Sequence, residues 1–226
     1  PSPEPVLPKA KGLNRFVWNL RYPTMPGATG VYIEASYRGH KAAPGKYTVV
    51  LKSGDRELST SFEILPNPLY ETDARNYQEY HTVMSKMETE LTLMHNLVNS
   101  VHDKRQQLEQ LLNSLPSEEK FKAIRTNGQA LTQRMKQWDE DMVQRKAKAY
   151  DDVENFPNKF TAEYLFLINH TESDIPKVNK PSLDRLDELT KEWAGLHTRI
   201  REILEKDIPA INKQLWDAGV GAVWKN

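Results

Sequence analysis

The chain changes its hydrophobic period once, near residue 68. Before that point apolar residues alternate with polar ones; after it they recur every three or four positions. Alternation marks half-buried strands, and the 3/4 spacing marks amphipathic helices. In residues 12–20, Asn14, Phe16, Trp18 and Leu20 share one side, opposite Leu13, Arg15, Val17 and Asn19. Phe16 and Trp18 are expected to face a core. Residues 31–37 place Val31, Ile33, Ala35 and Tyr37 together. After a turn at Pro44 and Gly45, Tyr47, Val49 and Leu51 oppose Thr48, Val50 and Lys52. Ser53, Gly54 and Asp55 turn the chain again, and residues 58–65 point Phe62 and Ile64 inward. Four such strands predict a small immunoglobulin-like β-sandwich, incomplete beside the roughly seven strands and ~100 residues of a full one.

Pro66 and Pro68 end that pattern. Tyr77, Tyr80, Met84, Met87, Leu91, Met94, Val98, Val101, Leu108 and Leu112 then form a heptad seam, interrupted only by Arg105. A helix from about 70 to 114 would be roughly 65 Å long at ~1.5 Å per residue. A second stripe, Phe121, Ile124, Gly128, Leu131, Met135, Trp138 and Met142, predicts a helix over about 118–149, opened by Ser117 and two glutamates. Residues 151–181 are mixed, with three prolines around the short apolar segment 160–168. Ser182 is expected to cap a third long helix to about 217, with Leu186, Leu189, Trp193, Leu196, Ile200, Ile203, Ile208, Ile211 and Leu215 on its stripe and a kink at Pro209. The predicted fold class is α+β in separate domains: a linker at 1–11, the immunoglobulin-like β domain at 12–67, and an antiparallel three-helix bundle of coiled-coil type at 68–226. The Met-rich stripe reads as bundle core rather than a binding groove.

Composition narrows the function classes. Among 226 residues, Lys+Arg and Asp+Glu both number 31, so the net charge is zero and a nucleic-acid-coating role is not expected. No stretch approaches ~18 apolar residues, so no membrane span is expected. Mean hydropathy is −0.71. There is no cysteine, which removes disulfides, thiolate chemistry and Cys-type zinc sites. The chain lacks an initiator Met and opens Pro-Ser-Pro-Glu-Pro, which fits a piece of something longer.

Candidate chemistry is sparse. His81, Glu88, His95 and His102 stand seven apart along one edge of the first helix. Seven residues rise about 10.5 Å, too far for two of them to share one metal, so flanking polar contacts are expected. Asp139 to Asp141 and the Asp151-Asp152 pair resemble hydrolase carboxylates, but neighbours on a helix diverge and a solvated face is the expectation. Asn169, His170 and Thr171 match a glycosylation acceptor. No phosphate loop, dinucleotide fingerprint, nucleophile elbow or metalloprotease motif occurs. No catalytic, metal or cofactor site is expected. Trp18 with Tyr22, Tyr32 and Tyr37 could form an aromatic platform for a sugar, so Trp18, Tyr22 and Tyr32 are the candidate carbohydrate-binding residues.

Two motifs carry a resemblance. Gly-Leu-Asn-Arg-Phe-Val-Trp-Asn-Leu-Arg-Tyr-Pro at 12–23 and Pro-Gly-Lys-Tyr-Thr-Val-Val-Leu at 44–51 resemble the C-terminal region of bacterial secreted β-propeller proteins. These are sortilin-like proteins with BNR repeats, often labelled glycosyl hydrolase-like. The same strands are similar to the immunoglobulin-like domain of flagellar hook-capping proteins. Asn19 stands where the family carries Asp, and Asn212 with Leu215 fits its C-terminal Asn-x-x-Leu motif. The resemblance implies a non-catalytic C-terminal module of an exported protein, secreted, periplasmic or at the cell surface. It implies the upstream propeller as a partner, with cell-surface proteins or glycans beyond it; a carbohydrate-binding module is the alternative. It predicts that the coding DNA upstream of Pro1 reads repeated propeller blades behind a signal peptide. A start codon close to Pro1 would contradict it.

Overall fold

The computed structural model describes residues 4–221, so the first three residues of the 1–11 linker and the last five of the chain lie outside the described residues. Helix α1, Ala74–Ser114, runs 41 residues. Asp73 caps it, its carboxylate accepting from the Arg75 amide at 2.8 Å. Every apolar member of its heptad seam, from Tyr77 to Leu112, is buried. At the far end Arg125 donates to the carbonyls of the cap residue Leu115 and of Pro116 just beyond it, at 2.6 and 2.7 Å. A 3-10 turn at Glu119–Phe121 leads into α2, Lys122–Met142. This helix stops short of 149 because Val143 leaves helical geometry. The Asp139 side chain then takes Arg145 in two hydrogen bonds of 2.6 and 2.7 Å.

Helix α3, Phe160–Glu172, is the apolar segment between the prolines. Phe160, Tyr164, Leu165, Leu167 and Ile168 are all buried, and the helix packs on α1, α2 and α4. A helix apolar on most of its circumference belongs inside, not on a surface. Helix α4, Lys180–Glu202, is capped by Asn179 rather than Ser182: the Asn179 oxygen accepts from the Ser182 amide at 2.8 Å, with Pro181 just inside the start. A π turn at Ile203–Asp207 joins α4 to α5, Ile208–Asp217. The Ile208 amide reaches back five residues to Ile203. Pro209, which has no N–H to donate, enters at the first turn of α5, so the chain absorbs it with a wider turn. Trp138 on α2 donates to the Leu196 carbonyl of α4 at 2.9 Å inside the core.

The sequence reading is corrected in both parts: the predicted three-helix bundle takes in a further packed helix, α3, because residues 160–168 are apolar on most of their circumference. No immunoglobulin-like sandwich is present; the protein is mostly helical, and its only sheet among the described residues is one antiparallel hairpin, β1 (Gly45–Ser53) with β2 (Arg56–Ile64). The register sets Tyr47 opposite Phe62 and Leu51 opposite Leu58. Neither strand packs against a helix. Residues 12–20 form no strand, and Phe16 and Trp18, expected in a core, are 44% and 37% exposed. The separation into β and helical domains fails as well. Residues 20–42 fold as a strap on the bundle, with Met25, Ala28 and Ile33 buried in the helical core. An alternating segment forms a half-buried strand only when it pairs into a sheet that another layer covers. Here no such sheet exists among the described residues, and the bundle takes the apolar residues of the strap instead.

The strap doubles back on itself. Amides of Tyr22, Met25 and Ala42 donate to carbonyls of His40, Tyr37 and Leu20 at 3.0, 2.8 and 2.8 Å. Gly39 makes this possible, since a Cβ there would lie 2.6 Å from the Tyr22 carbonyl carbon and 2.7 Å from the Pro23 oxygen. Backbone cannot yield as a side-chain tip can. Gly39→Ala is therefore expected to destabilise the protein by about 1–3 kcal/mol. Gly195→Ala, at an open position inside α4, is expected to stabilise it by up to about 1 kcal/mol. Thermal melts of the two variants check the pair; a neutral Gly39→Ala would contradict the close approach.

Candidate functional site

The edge of α1 marked by His81, Glu88 and His95 is where the strap docks. Glu88 accepts the main-chain amide of His40 at 2.6 Å and its ring Nδ1–H at 2.9 Å. His40 Nε2 meets His81 Nδ1 at 2.8 Å. His95 donates from Nδ1 to the Pro26 carbonyl at 2.7 Å. One turn on, Asn99 accepts from the Thr29 amide at 2.7 Å and donates to Gly27 at 3.2 Å. From α3, Asn169 binds both the amide and the carbonyl of Ser36, at 2.7 and 2.8 Å. Its side-chain nitrogen is therefore committed to the strap, which argues against the glycosylation reading. Arg145, already held by Asp139, reaches the Thr29 carbonyl at 2.8 Å.

His40 is the residue that sequence reading passed over, because nothing local marks it; its partners lie 41 and 48 positions away. It is 1% exposed, and Tyr22 stacks on it at 4.4 Å and on His81 at 5.0 Å. With Nδ1–H given to Glu88, the ring has only Nε2 left, and one proton bridges the two histidines. Burial lowers the pKa of His81, helped by the nearby His40 and opposed by Glu88. Ser85 also approaches His81, at 3.3 Å, but on the same Nδ1 that faces His40. A nucleophile–base–acid relay needs the two ring nitrogens to serve different partners, so this cluster is a clasp in geometry rather than a triad. Among the described residues, no group of three or more His, Cys, Asp or Glu could hold a metal ion.

The three aromatic candidates do not converge. Trp18 packs on Tyr47 at 5.8 Å and edge-on to Phe62 at 6.1 Å, and its indole N–H donates to the Arg21 carbonyl at 2.8 Å. With Phe16 they line a groove of about 710 Å³ beside the hairpin. Tyr22 reaches the same groove but spends its ring face on the histidines. Tyr32 lies elsewhere, with Tyr37, Thr24 and Arg38, around a cavity of about 920 Å³. Phe16 and Trp18, expected to face a core, and Phe62, expected to point inward, all line this groove instead. Phe16 and Phe62 have no hydrogen-bonding group, the Trp18 indole is given to Arg21, and the Tyr47 hydroxyl donates to the Ala43 carbonyl at 2.7 Å. A sugar site needs free donors and acceptors beside its aromatic face. This groove offers a mainly apolar wall.

No protein-family model, no curated protein and no solved structure matches the chain.

The clasp residues give a pH dependence. His95 is fully buried, and burial lowers its pKa; burial also lowers those of His81 and His102. Each stays neutral in the folded state at a pH where the unfolded chain takes up protons. Their stabilisation is thus complete above the unfolded value of about 6.5 and is lost as the pH falls through the lowered folded values. Melting temperature is expected to drop from about pH 7.5 to pH 5. His95→Gln, which keeps a donor for Pro26, is expected to flatten that drop. An unchanged slope in the variant would rule out a neutral buried His95.

Proposed function

We propose that this chain is a non-catalytic interaction module, in which the helical bundle is a rigid mount and the hairpin with its aromatic groove is the surface that meets a partner. The observation behind it is the placement of Trp18, Tyr47 and Phe62. Three large aromatic residues pack together outside the core, Tyr47 and Phe62 on a hairpin that no helix covers and Trp18 from the segment that lies against it. Exposed aromatic clusters on a preformed scaffold are where binding energy concentrates in interfaces. The resemblance of residues 12–23 and 44–51 to the tail of secreted propeller proteins supports placing the module in such an exported protein, with the propeller as a partner.

The carbohydrate-binding alternative draws on the partial exposure of Trp18. A shared experiment separates the two. A displayed peptide library and a glycan panel are each probed with the wild type, Trp18→Ala and Phe62→Ser, with helical circular dichroism as the folding control. Peptides that bind the wild type and lose at least about tenfold on either substitution are the expected result. Glycan binding lost on Trp18→Ala would favour the carbohydrate reading, and failure of both panels would count against a binding role for the groove.

A further inference from the structure

The groove follows one strand. Its lining takes Tyr47, Thr48, Val49, Val50 and Leu51 in unbroken succession, but only Phe62 from β2. Consecutive residues of a strand point to opposite faces, so a cavity touching all five runs along the strand's edge. That edge is unpaired among the described residues, since β1 bonds only to β2. Pro5, Leu7, Phe16, Trp18 and Tyr22 complete the lining, with Trp18 against the face that carries Tyr47 and Phe62. The space has the size of a strand. Five residues extend about 17 Å; at ~4.8 Å laterally and ~10 Å through the side chains they fill roughly 800 Å³. The groove measures about 710 Å³.

The geometry points to strand addition: the groove receives an extended strand of a partner polypeptide, which pairs with the open edge of β1. This rests on the interaction-module reading and specifies the partner. Its side chains follow from the register. Tyr47, Val49 and Leu51 lie on the face that carries Phe62, so the incoming residues opposite them are apolar or β-branched. Lys46 and Lys52 lie on the other face, where β2 already answers them with Glu63 and Glu57. The incoming strand therefore carries acidic residues six positions apart. The same lysines select against a second copy: fully overlapped antiparallel pairing of β1 with itself about Val49 sets Lys46 opposite Lys52 at both ends. A second copy's β2 would match in charge but brings its own β1, and the groove has the volume of a single strand.

The test uses the whole chain and a synthetic peptide containing Glu-Val-Thr-Val-Thr-Val-Glu, capped at both ends. Two N-methylated isomers carry methyls on alternate residues in opposite phase, so that one presents blocked amides to β1 and the other to solvent. NMR titration is expected to shift amides of residues 45–53 and the Trp18 indole. One isomer should lose binding while the other retains it, and Lys46→Gln with Lys52→Gln should weaken the parent peptide about three- to tenfold. Equal tolerance of both isomers would overturn strand addition while leaving a side-chain groove, and with it the interaction module, in place. No shift with this peptide, alongside library peptides that do bind the groove, would likewise overturn only the strand. Silence from every peptide and glycan would remove both readings. Concentration-dependent self-association abolished by the lysine substitutions would assign the edge to a second copy and overturn the partner strand.

Discussion

The carboxylate of Glu88 accepts two hydrogen bonds from a single residue, the main-chain and ring N–H groups of His40, and the course of the 20–42 strap follows from that contact. A charge at the edge of a core is tolerated where it is fully hydrogen-bonded. Glu88 meets that condition only with His40 in place. In return, His40 meets His81 and lies under Tyr22, so a titratable ring is sealed at the strap's turn-back point. The strap contributes Met25, Ala28 and Ile33 to the core. Loss of the clasp would expose those residues together with the α1 surface they cover.

A long segment without regular structure can be buried only if its amides and carbonyls find partners. The bundle supplies them from side chains rather than from strands. Asn99 and Asn169 each bind the strap through both atoms of their side-chain amides, mimicking a neighbouring peptide group. Arg145 and Lys148 add contacts to the carbonyls of Thr29 and Gly30. The heptad edge of α1 serves as a row of docking points. Its seven-residue spacing, too wide for a metal, suits an extended chain lying alongside the helix.

The hairpin follows the opposite course. An isolated two-stranded ribbon is marginal in water, and this one is held chiefly by its own cross-strand pairs and by Trp18 against Tyr47 and Phe62. Its apolar face carries Trp18, and the outer edge of β1 is unpaired among the described residues. The same chain thus holds two β-prone segments with different fates: 31–37 is absorbed by the helices, and 45–64 stands outside them.

The sequence alone determined the long helices, though not α3, because a 3/4 spacing sustained over several turns has only one local solution that gathers its apolar residues on one side. Tyr77 to Leu112 and Leu186 to Leu215 were legible for that reason, and so was the hairpin at Gly54, where turn and alternation agree. The sandwich was not legible, since alternation shows that a strand could be half-buried but not that a second sheet exists to bury it. Residues 12–20 and 31–37 carry the pattern and find no such sheet. Trp18 was legible as an aromatic candidate, though not its separation from Tyr32. His40, the centre of the clasp, left no local trace at all. Its role is set by Glu88 and His81, which come within hydrogen-bonding distance only after the strap has folded back. Short-range periodicity is written in neighbouring residues; the pairing of distant polar groups is decided by which surfaces the packed helices leave for the rest of the chain.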